Sequence, residues 1–288
     1  MTRRCSIFLF AGWLTAHAGA LWAYPFQNST PPEQETPTPE AGGEHLRVET
    51  EHGPLHLWWP ENLDPSTAGM VIYIHGYHTT VDITWTADNI VTQLADSRRN
   101  ALFMGIGAPE SNADEVSWKS LEELLRTVAA HVPYPLPHGP LVIIGHSGAY
   151  RTILQWLSDP RVQYIMLLDA LYAGQVEFRA WLRPRPRAQP HRMVLVSVDT
   201  WRQSNRLARR VTGTVRRRGI PIKASAFTPR ETHARLLYIR AQYPHADLIS
   251  NGRVIPVLLQ ISPLKPLRAS KANKLRPPKE SIPMPATH

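Results

Sequence analysis

Residues 141–153 read LVIIGHSGAYRTI. Four leucine or β-branched residues lead into Gly145-His146-Ser147-Gly148-Ala149, and Ile153, Trp156 and Leu157 then recur at helical spacing. The pattern predicts a buried strand, a sharp turn and a helix. A serine on such a turn is held in strained backbone angles, with its hydroxyl projecting above the edge of the sheet. Small residues at Gly145 and Ala149 let strand and helix approach closely. The alternative is plain: Ser147 is merely a small residue between two elements.

The surrounding chain repeats this rhythm. Strand-like runs occur at LHLWW (55–59), MVIYI (70–74), ALFMGI (101–106), LVII (141–144), YIMLL (164–168) and MVLVSV (193–198). Most are continuously apolar, as strands covered on both faces are. Between them, ADNIVTQLADS and SLEELLRTVAAHV carry apolar residues at helical spacing, the second with Leu121, Leu124, Leu125 and Val128 in one stripe. Strand and helix alternate, which predicts an α/β fold with a mostly parallel sheet flanked by helices. Further on, IKASAF (222–227) and RLLYIRAQ (235–242) are both strand candidates, the second also readable as helix.

The stretch around Ser147 resembles the nucleophile elbow of the α/β-hydrolase superfamily, G-x-S-x-G, with Ala149 in place of the last glycine. A second likeness is VIYIHGYH, where an apolar strand ends in His75-Gly76-Tyr77. In that superfamily an H-G loop and the residue after the nucleophile supply the amides of an oxyanion hole, which implies the amides of Tyr77 and Gly148 here. His75 and His146 are then loop-shaping residues beside the site, and His78 has no assigned role. The superfamily order of nucleophile, acid and histidine implies Asp199 as the acid, directly after MVLVSV, with Asp169 after YIMLL as the alternative. It implies His245 as the base if RLLYIRAQ is the last strand, and His233 if IKASAF is. The likeness spans roughly residues 53–262. No cofactor is expected.

The ends of the chain differ from its middle. Arg3 and Arg4 precede the apolar run Ile7–Leu14 and the small-residue stretch TAHAGALWA, the layout of a secretory signal peptide over residues 1–23. Residues 24–45 hold five prolines with little apolar content and read as a flexible linker. The folded domain is expected over 46–262 and a basic, Pro-rich disordered tail over 263–288. Export sends the chain to a secreted or periplasmic location, and the lone Cys5 leaves with the leader, so covalent chemistry has to use oxygen.

The net charge of +9 among 288 residues is uneven, with a net +5 from Lys265 onward. Arg206, Arg209, Arg210 and Arg216 to Arg218 form a second cluster, expected on a helix. Both read as attraction to an anionic surface or as solvated faces; export excludes nucleic acid as the partner. No H-E-x-x-H or comparable spacing points to a metal, and Gly105 and Gly107 do not make a dinucleotide loop. Trp58, Trp59, Trp85 and Trp118 are expected in or at the edge of the core. The short interval between YIMLL and MVLVSV leaves room for a small cap at most, suiting small esters and polymeric substrates alike. The expectation is a serine hydrolase acting on a carboxylic ester of a small molecule or envelope polymer. An envelope peptidase or amidase of the same fold is the alternative enzyme, and a non-catalytic envelope-binding module the alternative class.

Overall fold

The computed structural model describes residues 36–184 and 190–268. The expected leader and residues 24–35 of the expected linker lie outside them, as do residues 269–288 of the expected tail.

Ten strands form one sheet. They are β1 (Thr38–Glu40), β2 (Gly43–Thr50), β3 (Gly53–Pro60), β4 (Gly69–Ile74), β5 (Ala101–Ile106), β6 (Leu141–His146), β7 (Tyr164–Leu168), β8 (Arg192–Ser197), β9 (Thr214–Arg218) and β10 (Leu236–Arg240). Their spatial order is β1-β2-β3-β5-β4-β6-β7-β8-β10-β9. β1 to β3 are antiparallel, and β3 joins β5 antiparallel; from β5 to β9 every neighbour is parallel. The helices described are α1 (Val81–Ala87), α2 (Ile90–Asp96), α3 (Leu121–Ala129), α4 (Tyr150–Trp156), α5 (Gln175–Trp181), α6 (Trp201–Arg210), α7 (Pro229–Thr232), α8 (Asp247–Ser250) and α9 (Val254–Gln260).

The apolar runs form strands because both of their faces are covered. In β4, Met70, Ile72 and Ile74 point into one buried cluster while Val71 and Tyr73 point into the other. β6 divides the same way, Ile143 on one side against Val142 and Ile144 on the other. Helix starts follow local chemistry: the Ser120 hydroxyl accepts the Glu123 amide at the head of α3, where Glu122 and Glu123 also favour the positive end of the helix dipole. Leu121, Leu124, Leu125 and Val128 form its buried stripe. α5 is the only helix described between β7 and β8.

The sheet begins earlier than composition suggested. Thr38–Glu40 and the start of β2 occupy part of the segment read as linker, and the β2–β3 hairpin is pinned to α1 where Asp82 accepts from Arg47 at 2.7 and 2.9 Å. His56 and Asp82 share a further contact of 2.7 Å. At the other end, the first residues of the expected tail pack on the domain: Leu264 is buried, and the Leu267 amide donates to Arg98. Two further expectations are corrected. Arg216 to Arg218 lie on β9, an edge strand, and not on the helix that carries Arg206, Arg209 and Arg210. IKASAF is no strand, since residues 224–226 close a tight helical turn; RLLYIRAQ supplies the strand, β10.

Because β4, β6, β7, β8 and β10 are parallel, the residues following them gather at one edge of the sheet. That edge presents His75, Ser147, Asp169, Asp199 and His245.

Candidate active site

Ser147 follows β6 with φ +50°, the left-handed region that costs a non-glycine residue about 1–3 kcal/mol. The turn is possible because its neighbours are small. A side chain at Gly145 would lie 2.6 Å from Ile153 and 3.0 Å from the Ala149 methyl, so strand and α4 meet with no room between them. Gly76 is equally close, with its missing side chain pointing 2.7 Å from the Ser147 Cβ.

The loop after β4 is braced against the turn. His75 is buried; its Nδ1 donates to the Gly76 carbonyl at 2.7 Å and its Nε2 accepts the Ala108 amide at 2.9 Å. Burial holds its pKa below the ordinary histidine value, and with Nε2 accepting an amide the ring braces the loop. The Tyr77 ring lies on Gly148, and its amide donates to no backbone acceptor among the described residues. The Gly148 amide stands at the start of a helical turn, where intrahelical partners are missing. Two donors are thus available beside Ser147. Arg151 on α4 secures the opposing loop, donating to the Tyr77 hydroxyl at 3.3 Å and to the carbonyls of Ser111 and Asp114 at 3.0 and 2.7 Å.

His245 follows β10, and its Nδ1 donates to the Asp169 Oδ2 at 2.7 Å, leaving Nε2 to take a proton. The expected acid, Asp199, is not the partner. Its side chain is exposed and its nearest oxygen stands 3.9 Å from the same nitrogen, while its backbone amide donates to Asp169 at 2.9 Å. Asp169 is fully buried and accepts four donors besides His245: the amides of Val198, Asp199 and Thr200 and the Thr200 hydroxyl, at 2.6 to 2.9 Å. Burial would raise its pKa, but the bonds from His245, Thr200 and the amides outweigh it and hold the carboxyl well below the usual carboxylate range. Asp169, Asp199 and His245 are near enough to face one cation. With five donors on its two oxygens, however, Asp169 has no lone pair left to offer a metal.

The His146 ring lies against His245 at a 39° tilt with centroids 4.5 Å apart, and its Nε2 donates to the His245 carbonyl at 3.2 Å. Burial and the neighbouring His245 lower its pKa to about 4, so it stays neutral and shapes the loop. His233 takes no part: it is exposed at the end of α7, ahead of β10, and so at the opposite edge of the sheet.

Three contributors escaped the sequence reading: Tyr172, Thr200 and Arg151. The Tyr172 ring meets His245 edge-on at 6.4 Å. Burial and the carboxylates of Asp169 and Asp199 push its phenol up to about 12. Tyr172 and Thr200 each stand within three residues of an acid candidate, a proximity that could have singled them out. A strained serine hydroxyl, an imidazole oriented by a buried carboxylate and two unpaired amides together are a set able to carry out nucleophilic acyl transfer.

No family model matches the chain, and no curated protein does. Solved structures do match. An enterochelin esterase from Shigella flexneri superimposes with a TM-score of 0.50 at 15% identity, covering 80% of this chain and 61% of that one. An S-formylglutathione hydrolase from Agrobacterium tumefaciens gives 0.49 at 11% identity over 80% and 99% of the two chains. A feruloyl esterase module from Clostridium thermocellum gives 0.49 at 12% identity over 78% and 93%. At such identities the likeness is one of architecture, and the chain has the α/β-hydrolase fold.

Proposed function

We propose that this chain is a serine hydrolase that cleaves carboxylic esters, with Ser147 as nucleophile, His245 as general base and Asp169 as the acid that orients it. The observation that carries this reading is the 2.7 Å bond from His245 to the buried, donor-saturated Asp169 at the same sheet edge as Ser147. The Ser147 hydroxyl turns toward His245 Nε2. The imidazole takes the proton as the hydroxyl oxygen attacks the ester carbonyl, and Asp169 stabilises the imidazolium that forms. The carbonyl oxygen gains negative charge and is met by the amides of Tyr77 and Gly148. Collapse returns the proton to the leaving alcohol and leaves an acyl group on Ser147. A water activated by His245 then releases the acid and restores the serine.

The leader-like pattern of residues 1–23 supports a secreted or periplasmic site of action, and the basic tail supports attachment to an anionic surface. The test is turnover of p-nitrophenyl acetate and butyrate beside the matching p-nitroanilides, with Ser147→Ala as the control. Ester turnover that disappears in the variant supports the proposal. Anilide turnover alone reassigns the scissile bond to an amide, and activity that survives in Ser147→Ala removes the serine from the mechanism.

A further inference from the structure

α5 and α6 follow the parallel strands β7 and β8, so both run from the active-site edge of the sheet back toward its opposite edge. Between them lies a cleft of about 260 Å³. Its walls carry four arginines, Arg179 and Arg183 from the α5 side and Arg206 and Arg210 from α6. Arg206 and Arg210 are spaced i, i+4 on α6 and so share one helix face, while Arg183 stands just past the C-terminal end of α5, which carries Arg179. No aspartate or glutamate lines the cleft.

Among the described residues no carboxylate pairs with these charges. Among the described residues the arginines in ion pairs are Arg47, Arg161 and Arg217, and none of these is in the cleft. The sequence offers nothing nearby: the 31 residues from Thr200 to Arg230 contain no acid, and residues 175–190 contain only Glu177, which lies outside the cleft. Four guanidinium groups brought together without a carboxylate repel one another, and an anion that displaces their counter-ions relieves that repulsion. The residue type narrows the ligand. Each charge in the lining is an arginine, whose planar fork pairs two-point with phosphate-like oxygens where lysine would offer a point charge.

We propose that the α5–α6 cleft is a binding site for a multivalent oxyanion bearing two or more phosphate or sulfate groups. The site is separate from Ser147 and stands or falls independently of the catalytic reading. It gives the chain a contact with an anionic partner beyond the basic residues from Lys265 onward.

Calorimetric titration of the full chain with inorganic tripolyphosphate tests it. One ion binds per chain, and the double variant Arg206→Gln with Arg210→Gln weakens binding by about tenfold or more. The charge-matched double variant Arg209→Gln with Arg218→Gln, exposed residues outside the cleft, changes it less than about threefold. Equal weakening in both variants indicates diffuse attraction and overturns the proposal, as does absence of binding at about 50 mM salt. Sedimentation with phosphatidylcholine vesicles containing phosphatidic acid identifies the source. Co-sedimentation lost in the cleft variant alone supports a surface-borne oxyanion; tripolyphosphate binding without co-sedimentation supports a soluble one.

Discussion

Asp169 and Asp199 show how much one backbone conformation decides. Both follow an apolar strand, and both stand within reach of His245, at 2.7 and 3.9 Å. Asp169 turns left-handed immediately after β7, with φ +49°, which aims its carboxylate under the loop that follows β8. There it collects the amides of Val198, Asp199 and Thr200, so Asp199 serves the carboxylate through its main chain while its own side chain faces solvent. Strand periodicity does not encode that turn, and this is why the sequence narrowed the acid to two candidates without singling out the one that bonds His245. Asp169→Asn is expected to lower kcat for an ester by about 10³–10⁴-fold, because the amide favours the wrong imidazole tautomer, while Asp199→Asn changes it by less than about fivefold. Comparable losses in the two variants, measured at matched folded fraction, would contradict the assignment. His146 makes a pH-dependent prediction. Its pKa is depressed to about 4 against an ordinary 6.5, so the unfolded chain binds more protons between those values. Its contribution to stability is therefore complete above about pH 6.5 and declines as the pH falls toward 4, by up to about 3 kcal/mol. Urea midpoints should fall over that window in the native sequence and fall less in His146→Gln, whose amide keeps a donor for the His245 carbonyl; identical slopes would show that His146 is not the group responsible.

At the level of elements, legibility followed burial. β4 to β8 were readable because strands covered on both faces are continuously apolar, and α3 because one stripe of leucines is enough to mark its buried face. β9 was not, since an edge strand with one partner can carry Arg216, Arg217 and Arg218 and so looks like a solvated helix. β1 and β2 were hidden for a related reason: Thr38–Glu40 forms a short edge whose residues are largely exposed, and its composition is that of a linker. The elbow and the H-G loop lie against each other, and the smallness of Gly76, Gly145 and Ala149 is the sequence signal of that close approach. Gly148 makes the strongest demand. A methyl there would stand 2.3 Å from the Tyr77 ring, which cannot yield without moving the loop that carries the Tyr77 amide. Gly148→Ala is therefore expected to cost kcat about 10²–10³-fold through a displaced oxyanion donor, with a much smaller change in KM. A variant with native kcat would show that the Tyr77 loop does not hold the oxyanion.

Across the whole molecule, parallel strands deliver Ser147, Asp169 and His245 to one sheet edge, and the arginine cleft lies on the α5–α6 side below that edge. The topology thus concentrates the candidate catalytic side chains where strand ends meet, apart from the arginine cleft on the outer helices. Position along the chain made the histidine choice tractable: once RLLYIRAQ is β10, His245 lies after it at the active edge and His233 before it at the opposite one. No helix among the described residues is long and apolar enough to cross a membrane. The account as a whole depends on Ser147 being an activated nucleophile, and the most direct measurement is the intact mass of the protein after exposure to a fluorophosphonate, with the adduct mapped by peptide sequencing. A single adduct on Ser147, formed rapidly by the native sequence and by Asp199→Asn, slowly by Asp169→Asn and not at all by Ser147→Ala, is the predicted result. A well-folded native protein that forms no adduct, or forms it on another residue, contradicts the account.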